Sequence, residues 1–187
     1  MSTVVFIPRG RDPVRRLALI RHAKSDHPPG FIDHDRPLSE RGSRDAQALG
    51  AWLTSTLGDP VEGSTAVIVS SAERTQQTWL TASSAAGSEW AALPTFVDGD
   101  IYEASPGTLR SVALRHGAAA DLIVMVGHNP GIGLLARELA APGAARATLA
   151  DGFPTSAVAV LDTEEPWTTA LAGTGGLRLS SFVTPRG

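Results

Sequence analysis

Three short and largely apolar runs, each followed by a cluster of basic and small polar residues, constrain most strongly how this chain can fold. The runs cover residues 17–20, 66–69 and 121–126. Runs of this length are typical of buried strands, and stretches with apolar residues at helical spacing lie between them. Because strands that alternate with helices form a parallel sheet covered on both faces, we predict an α/β fold, a three-layer α/β/α sandwich.

The remaining apolar periodicity predicts further elements between these strands and after them. Helices are expected over residues 40–57, 73–86, 107–116 and 131–140. Additional strands are expected over residues 95–97, 156–161, 167–172 and 177–183, with residues 87–94 as a loop. Since no helical pattern separates the last three strands, we expect an antiparallel edge on a mainly parallel sheet.

Residues that favour helix starts support these boundaries. Ser39 precedes the first predicted helix and belongs to the preferred N-cap residues. Ser70 is a candidate cap for the second helix, and Pro106 suits the first turn of the third. Gly58 ends the first helical pattern.

The length of 187 residues predicts one domain over residues 1–187, with residues 1–14 as a peripheral N-terminal extension. Residues 1–16 contain four arginines and one aspartate, whereas the whole chain has a net charge of −3. A nucleic-acid binder would usually be strongly basic, so we expect no such partner. The apolar runs are far shorter than the ~18 residues of a membrane span, so we expect no membrane contact either.

Cysteine is absent from the chain, which excludes a disulfide scaffold, thiolate metal sites and a cysteine nucleophile. No apolar stretch typical of a signal peptide follows the start, because the run at residues 4–7 stops at Pro8. Both features fit a cytoplasmic protein. The oligomeric state stays open, and a monomer is compatible with the composition.

Side chains that can bind phosphate follow each of the three strands. Arg21 and His22 follow the first strand, Arg74 lies just after the second, and His128 follows the third. In an open α/β sheet, ligands bind beyond the carboxyl ends of the strands. If the three strands are neighbours, these four side chains meet in one crevice.

The residue types in this predicted crevice suit a phosphate group. Guanidinium groups match phosphate oxygens with paired hydrogen bonds, and the helix start after His128 adds backbone N–H donors. Nearby positive charge keeps a histidine neutral, and a neutral imidazole is a nucleophile that can carry a phosphoryl group. His22 is the candidate nucleophile because Arg21 lies at the same strand end. A single histidine at a strand end more often has a structural role, so the hypothesis depends on the joint pattern.

Five segments share the pattern of one enzyme family: L-I-R-H-A-K-S (19–25), D-H-D-R-P-L-S-E-R-G (33–42), V-S-S-A-E-R-T-Q-Q-T (69–78), V-G-H-N-P-G (126–131) and F-P-T-S-A-V (153–158). Together they resemble the histidine phosphatase superfamily, also called the phosphoglycerate mutase-like family. They are most similar to its branch of SixA-type phosphohistidine phosphatases. The resemblance covers about residues 17–161.

The resemblance implies an α/β/α sandwich, no metal or other cofactor, and a phosphohistidine intermediate on His22. It also implies that Arg21, Arg74 and His128 line the phosphate pocket. Ala23 stands where the family usually has glycine, which requires a backbone conformation that accepts a Cβ. The Trp and Asn that follow the Arg-His pair in glycolytic mutases are absent, which argues against a mutase.

Glu103 is the candidate proton donor for the leaving group. It lies in I-Y-E-A-S-P-G (101–107), the segment where the family often places this acid. The alternative is a surface carboxylate near the start of the helix at Pro106. The SixA-type branch is considered weak in this acid, and its chemistry permits that, because a leaving imidazole needs less proton assistance than an alkoxide.

Histidines and aspartates within residues 26–35 also invite a metal hypothesis, since these residue types bind zinc and iron. The segment is rich in proline and glycine and lacks the helical spacing of paired ligands. We therefore expect residues 33–37 to be a loop that flanks the phosphate pocket, with Arg36 in a position to contact the substrate.

The predicted function is that of a hydrolase, a metal-independent phosphatase acting through a phosphohistidine intermediate. A phosphohistidine protein is the first expected substrate. A small-molecule phosphomonoesterase, acting on sugar or nucleotide phosphates, would use the same pocket residues. A binding module for phosphorylated ligands without catalysis is a further alternative, in which His22 would be dispensable.

Overall fold

A six-stranded mixed sheet forms the centre of the protein, in a computed structural model that describes residues 14–187. Its strands are β1 (Arg15–Arg21), β2 (Thr65–Ser70), β3 (Thr95–Asp98), β4 (Leu122–Gly127), β5 (Val158–Thr163) and β6 (Arg178–Val183). Their order across the sheet is β3-β2-β4-β1-β5-β6. The first four are parallel, and β5 and β6 are antiparallel to their neighbours. This confirms the mainly parallel sheet with an antiparallel edge.

Helices cover both faces of this sheet. They are α1 (Glu40–Leu57), α2 (Glu73–Ala86), α3 (Ser88–Ala91), α4 (Pro106–Gly117), α5 (Gly131–Leu139), α6 (Ala144–Ala147) and α7 (Trp167–Ala170). Short 3₁₀ turns occur at Asp33–Asp35, Gly99–Ile101 and Thr148–Asp151. The four long predicted helices are thus present within one or two residues of their predicted limits.

The two-residue period of β1 divides the apolar core into two layers. Leu17 and Leu19 pack on the face that carries α4 and α5, whereas Ala18 and Ile20 pack on the face that carries α1 and α2. All four are fully buried. Full burial of a leucine or isoleucine side chain stabilises a fold by about 1.5–3 kcal/mol, so apolar contacts on both faces hold the strand in place. The α/β/α sandwich is confirmed.

Polar caps define the starts of two helices that flank the site. Ser39 Oγ accepts a hydrogen bond from the backbone N–H of Gly42 at 3.1 Å, as predicted. Ser105 caps α4 in the same way through Thr108, and Pro106 occupies the first turn. Gly42 also allows α1 to lie against the loop after β1, because a Cβ there would be 2.0 Å from the carbonyl oxygen of Lys24.

Three local predictions are wrong. Residues 167–172 do not form a strand, because α7 begins after Pro166 and Trp167 is buried, its indole N–H donating to the carbonyl of Ala120 at 2.6 Å. Residues 88–91 form α3 inside the predicted loop. Ser70 does not cap α2, which begins after Ala72.

The predicted N-terminal extension lies outside the described residues, apart from Val14. Arg15 and Arg16, the last two arginines of the basic N-terminal stretch, belong to β1. Arg15 donates to the carbonyl of Glu164, and the Arg16 Nε lies 4.0 Å from a carboxylate oxygen of Asp162. Within residues 14–187, no helix has the length and apolarity needed to cross a membrane.

Candidate active site

The carboxyl ends of β1, β4 and β2 bring the predicted phosphate-binding residues together. Arg21 of β1 pairs with Gly127 of β4, so His22 and His128 follow adjacent strands. Their ring centroids are 5.2 Å apart. Arg74, in the first turn of α2, places Nη2 3.3 Å from Nδ1 of His128. We call His22, Ser70, Arg74 and His128 the strand-end cluster.

The surroundings of His22 select its tautomer. Its Nδ1 lies 2.7 Å from the carbonyl oxygen of Ala23. A carbonyl can only accept a hydrogen bond, so Nδ1 carries the proton and donates it. Nε2 is therefore the nitrogen with the free electron pair, as a nucleophile requires.

The same surroundings keep His22 neutral. Its pKa is lowered from 6.5 to about 4, mainly by burial and also by the positive charges of Arg74, Arg21 and Arg36, while the hydrogen bond to Ala23 acts in the opposite direction. An imidazole with this pKa is unprotonated at neutral pH. The predicted effect of the cationic pocket on this ring is present, although burial is its largest cause.

Ala23 fits the position where the family usually has glycine. It is fully buried, and its backbone N–H donates to Thr78 Oγ1 at 3.0 Å. Thr78 Oγ1 in turn donates to the carbonyl of Arg74. In residues 14–187, only Glu103 and Ser156 are non-glycine residues with positive φ, so the backbone at Ala23 accepts a Cβ.

His128 is held by two partners from β2 and α2. Arg74 Nη2 can only donate, so Nδ1 of His128 accepts, and Nε2 carries the proton that it shares with Ser70 Oγ at 2.8 Å. Burial, the neighbouring His22 and Arg74 lower the pKa of His128 to about 3. Ser70, which we expected to cap a helix, instead fixes the orientation of this ring.

Arg21 lies beside the cluster and is anchored by one nitrogen. Its Nη1 donates to the carbonyl of Phe153 at 2.8 Å, and Asn129 Nδ2 donates to the same oxygen at 2.7 Å. The Arg21 Nε is buried and has no hydrogen-bond partner in the part of the chain that the structure describes. An unpaired buried donor costs about 1–3 kcal/mol, and an anion in the pocket would satisfy it.

Asp33 contacts the buried guanidinium of Arg74. The sequence does not predict this contact. The Arg74 Nη1 donates to the Asp33 carbonyl at 2.5 Å, and its Nη2 donates to Asp33 Oδ2 at 3.0 Å. Tyr102 donates its hydroxyl to the same Oδ2 at 2.7 Å. The hydrogen bond from Tyr102, with the charges of Arg74 and Arg36, lowers the pKa of Asp33 to about 2 despite some desolvation.

Asp33 belongs to a loop at the edge of the pocket, residues 26–37, which we call the rim loop. Its two ends are joined by an antiparallel bridge between Ser25 and Leu38. Arg36 binds inside the loop, where Nη1 lies 2.6 Å from Asp33 Oδ1 and Nε lies 3.0 Å from the Asp26 carbonyl. The predicted flanking loop is therefore present, and the contacts of Arg36 hold the loop together.

The residues behind the metal hypothesis have protein partners. His34 contacts Ser71 Oγ at 2.9 Å through Nε2 and Asp35 Oδ1 at 3.1 Å through Nδ1. The Asp33 carboxylate is taken by Arg74, Arg36 and Tyr102. Across residues 14–187, no three His, Asp or Glu side chains are grouped so that they could hold a metal ion.

Glu103 lies next to Tyr102 but outside the strand-end cluster. Its side chain is exposed, its φ is +53°, and no group in residues 14–187 forms a hydrogen bond with its carboxylate. Gly131 holds this loop against the start of α5, because a Cβ there would be 2.2 Å from the Ala104 carbonyl oxygen. Its role as proton donor stays a prediction.

The sequence does not assign a role in the site to two further residues, Ser70 and Tyr102. Tyr102 is the only tyrosine of the chain, and its ring packs edge-on against His128 at 5.3 Å. Its position beside Glu103 in the same segment was the one indication available. Contacts between distant segments decide both roles.

The fold and the site define a class of protein. A neutral histidine with a free Nε2 lies beside a second histidine and two arginines at the carboxyl edge of a parallel sheet. Guanidinium groups match phosphate oxygens and a neutral imidazole is a nucleophile, so this combination is typical of α/β phosphoryl-transfer enzymes.

Comparison with known proteins identifies the family within this class. A sequence profile of the histidine phosphatase superfamily, branch 1, matches residues 17–121. Rv1276c, an uncharacterized protein of Mycobacterium tuberculosis, is 35% identical over 171 residues, which cover 89% of this chain and 100% of that protein. The chain belongs to branch 1 of the histidine phosphatase superfamily, and it is a phosphatase.

Two solved structures share the fold. A candidate phosphohistidine phosphatase SixA from Nakamurella multipartitia has a TM-score of 0.77 and 26% identity, covering 92% of this chain and 96% of that one. A mycobacterial glucosyl-3-phosphoglycerate phosphatase has a TM-score of 0.59 and 17% identity, covering 89% of this chain and 97% of that one, and shows likeness of fold alone. Within the superfamily, this chain is similar to the SixA branch.

Proposed function

We propose that this protein is a metal-independent phosphohistidine phosphatase that works through a phosphohistidine intermediate on His22. The observation that carries the proposal is the tautomer of His22, whose Nδ1 proton is donated to Ala23 so that Nε2 is free to attack. Its low pKa keeps this nitrogen unprotonated at neutral pH.

The reaction proceeds in two steps. In the first, Nε2 of His22 forms a bond to phosphorus while the bond to the leaving group breaks, and the leaving group keeps the electron pair. In the second, water forms a bond to the phosphorus of phospho-His22, the phosphorus–nitrogen bond breaks, and its electron pair returns to Nε2. Inorganic phosphate leaves with both protons of the water. Each step transfers one phosphoryl group, so no oxidant or reductant is required.

Arg21, Arg74 and His128 stabilise the transferring group in this proposal. Both guanidinium groups supply hydrogen-bond donors to the phosphoryl oxygens, and the unpartnered Nε of Arg21 supports this role. Phosphate in the pocket raises the proton affinity of His128, whose Nδ1 can then donate to an oxygen. Such electrostatic stabilisation is usually the largest contribution to phosphoryl transfer.

The exposed side chains of the rim loop support the proposal that the phosphohistidine substrate is part of a protein. Phe31 and Ile32 have 54% and 66% of their surface exposed, and they directly precede Asp33. Apolar side chains beside a polar pocket are typical of sites where another polypeptide docks. We place the reaction in the cytoplasm, in agreement with the absence of cysteine.

The test is a comparison of kcat/KM between a phosphohistidine protein and small phosphate esters, with and without excess chelator. We expect the phosphohistidine protein to be the better substrate and chelator to have no effect. Transfer of labelled phosphate to the wild-type protein, lost in the His22→Asn variant, would identify the intermediate. Hydrolysis that stops when metal is removed would contradict the proposal.

A small-molecule phosphomonoesterase is the second candidate, and Glu103 favours it, because its neighbour Tyr102 packs against His128. An ester leaves as an alkoxide and benefits from a general acid by roughly 10²–10⁴-fold. If Glu103 is that acid, the Glu103→Gln variant loses ester turnover and keeps phosphohistidine turnover. Equal effects on both substrates would remove Glu103 from the reaction.

A further inference from the structure

We propose that Asp33 is a specificity-determining residue, whose carboxylate favours phosphoryl groups carried on a ring nitrogen over those carried on oxygen. This inference rests on the proposed function, because it concerns which leaving group the same pocket accepts. It assigns to Asp33 a contact with the leaving group that is separate from phosphate binding.

The geometry places a carboxylate at the edge of the phosphate pocket. Asp33 Oδ2 binds Arg74, whose same Nη2 reaches His128, and Tyr102 contacts both Asp33 and the His128 ring. The Asp33 side chain nevertheless keeps 51% of its surface exposed. A group leaving the pocket on this side therefore meets a carboxylate.

The hydrogen bonds of this carboxylate leave room for one more donor. Two carboxylate oxygens accept about four hydrogen bonds. Arg74 and Tyr102 donate to Oδ2, and Arg36 donates to Oδ1. One acceptor position, on Oδ1, therefore remains.

The charge of this carboxylate decides what it can do there. The hydrogen bond from Tyr102 and two guanidinium groups hold the pKa of Asp33 near 2, so it stays ionised and cannot donate a proton at neutral pH. An oxygen leaving group develops negative charge as its bond to phosphorus breaks. A fixed negative charge nearby opposes that development and supplies no proton to relieve it.

A phosphorylated imidazole has the opposite requirement. When its second ring nitrogen is protonated, the ring is a cation and an N–H donor. Nε2 of His22 forms its bond to phosphorus, the phosphorus–nitrogen bond breaks, and the electron pair enters the ring, which leaves as neutral imidazole. The proton is already on the substrate, and the Asp33 carboxylate stabilises the protonated ring by a charge-assisted hydrogen bond.

The experiment compares two substrates of similar size in the Asp33→Asn variant. The probes are free phosphohistidine and phenyl phosphate, each measured as kcat/KM. The amide keeps the backbone contact to Arg74 and removes the charge. We expect the ratio of phosphohistidine to phenyl phosphate activity to fall at least 10-fold, mainly through slower phosphohistidine hydrolysis.

Two matched variants separate charge from structure. Tyr102→Phe removes one hydrogen bond to Asp33 and leaves the charge, so we expect its substrate ratio to stay within about 3-fold of wild type. Asp35→Asn removes a neighbouring, exposed carboxylate that contacts His34, and should leave the ratio unchanged. If Asp33→Asn does not fold, Asp33→Ala, which also removes the charge, replaces it, with the same expected fall in the substrate ratio.

Failure of this inference is distinguishable from failure of the proposed function. If Asp33→Asn lowers both activities equally, Asp33 only positions Arg74, and the specificity role is overturned. If wild-type protein hydrolyses phosphohistidine through His22 and the ratio of phosphohistidine to phenyl phosphate activity does not change in Asp33→Asn, the proposed function holds and the specificity role of Asp33 is wrong. If the His22→Asn variant hydrolyses phosphohistidine as fast as wild type, the proposed function itself is wrong.

Discussion

The strand-end cluster and the rim loop differ in how they are held, although both border the same pocket. His22 and His128 follow buried strands of the sheet, Ser70 is the last residue of β2, and all three are buried. The rim loop has polar hydrogen bonds, an ion pair to Arg74 and largely exposed side chains, including Phe31 and Ile32. The sheet holds the reacting groups rigidly, whereas the loop offers surface to the rest of the substrate.

This difference separates chemistry from substrate choice. Changes in the strand-end cluster should lower kcat for every substrate, because they alter groups that act on phosphorus. Changes in the rim loop should alter KM and the ratio between substrates, because they alter groups that meet the leaving group. The predictions below test this division, beginning with the largest expected effect.

Loss of the nucleophile tests the cluster most directly. We expect His22→Ala to reduce hydrolysis of every substrate to background, a loss of at least ~10⁴-fold, because no other described group replaces Nε2. Circular dichroism and thermal unfolding at pH 7.5 should show a folded protein. Normal hydrolysis by this variant would refute the assignment of the nucleophile.

Arg74 connects the two regions, so its replacement should affect both. Arg74→Lys keeps a positive charge but loses the paired donors that reach Asp33 and His128. We expect kcat to fall by ~10²–10³-fold, with a rise in KM as the tie to the rim loop is lost. Steady-state kinetics on two substrates measure both effects. A change in KM without a change in kcat would mean that Arg74 acts with the rim loop in substrate binding and not on phosphorus.

Acid should destabilise the cluster through its two histidines. The pKa values of His22 and His128 are about 4 and 3 in the folded state, against about 6.5 when unfolded, so the unfolded chain binds protons first as pH falls. Their contribution is complete above pH 6.5 and disappears as pH falls towards 3. For His22 it amounts to about 3 kcal/mol, on the scale of 1.36 kcal/mol per pKa unit.

Urea unfolding between pH 7.5 and 4.5 measures this loss of stability. The His22→Asn variant should show a shallower decline of the unfolding free energy with falling pH than wild type. His27→Gln, in the exposed part of the rim loop, is the matched control and should follow the wild-type decline. Equal slopes for all three proteins would mean that burial does not depress the pKa of His22.

The smallest expected effect comes from two adjacent serines with partners in different regions. Ser70 holds His128, and Ser71 holds His34 of the rim loop. Losing the partner of a buried donor costs about 1–3 kcal/mol, so Ser70→Ala should lower kcat about 10-fold. Ser71→Ala should leave kcat nearly unchanged and alter KM by less than about 3-fold. A larger loss of kcat in Ser71→Ala than in Ser70→Ala would contradict the proposed difference between the strand-end cluster and the rim loop.

Much of this architecture is predictable from local pattern. The apolar runs at residues 17–20, 66–69 and 121–126 are buried strands, and the helical periods give α1, α2, α4 and α5. These predictions succeed because period and burial depend on neighbouring residues. The prediction for residues 167–172 fails because a distant contact, from Trp167 to Ala120, decides that segment.

The sequence by itself determined the alternating strands and helices, and it indicated that Arg21, His22, Arg74 and His128 would share one edge of the sheet. Only the tertiary structure decided which nitrogen of His22 is free, that Ser70 orients His128, and that Asp33 sits on Arg74. The reason is physical. Strand ends follow from local periodicity, whereas hydrogen-bond partners and pKa values follow from groups that only folding brings within a few ångströms.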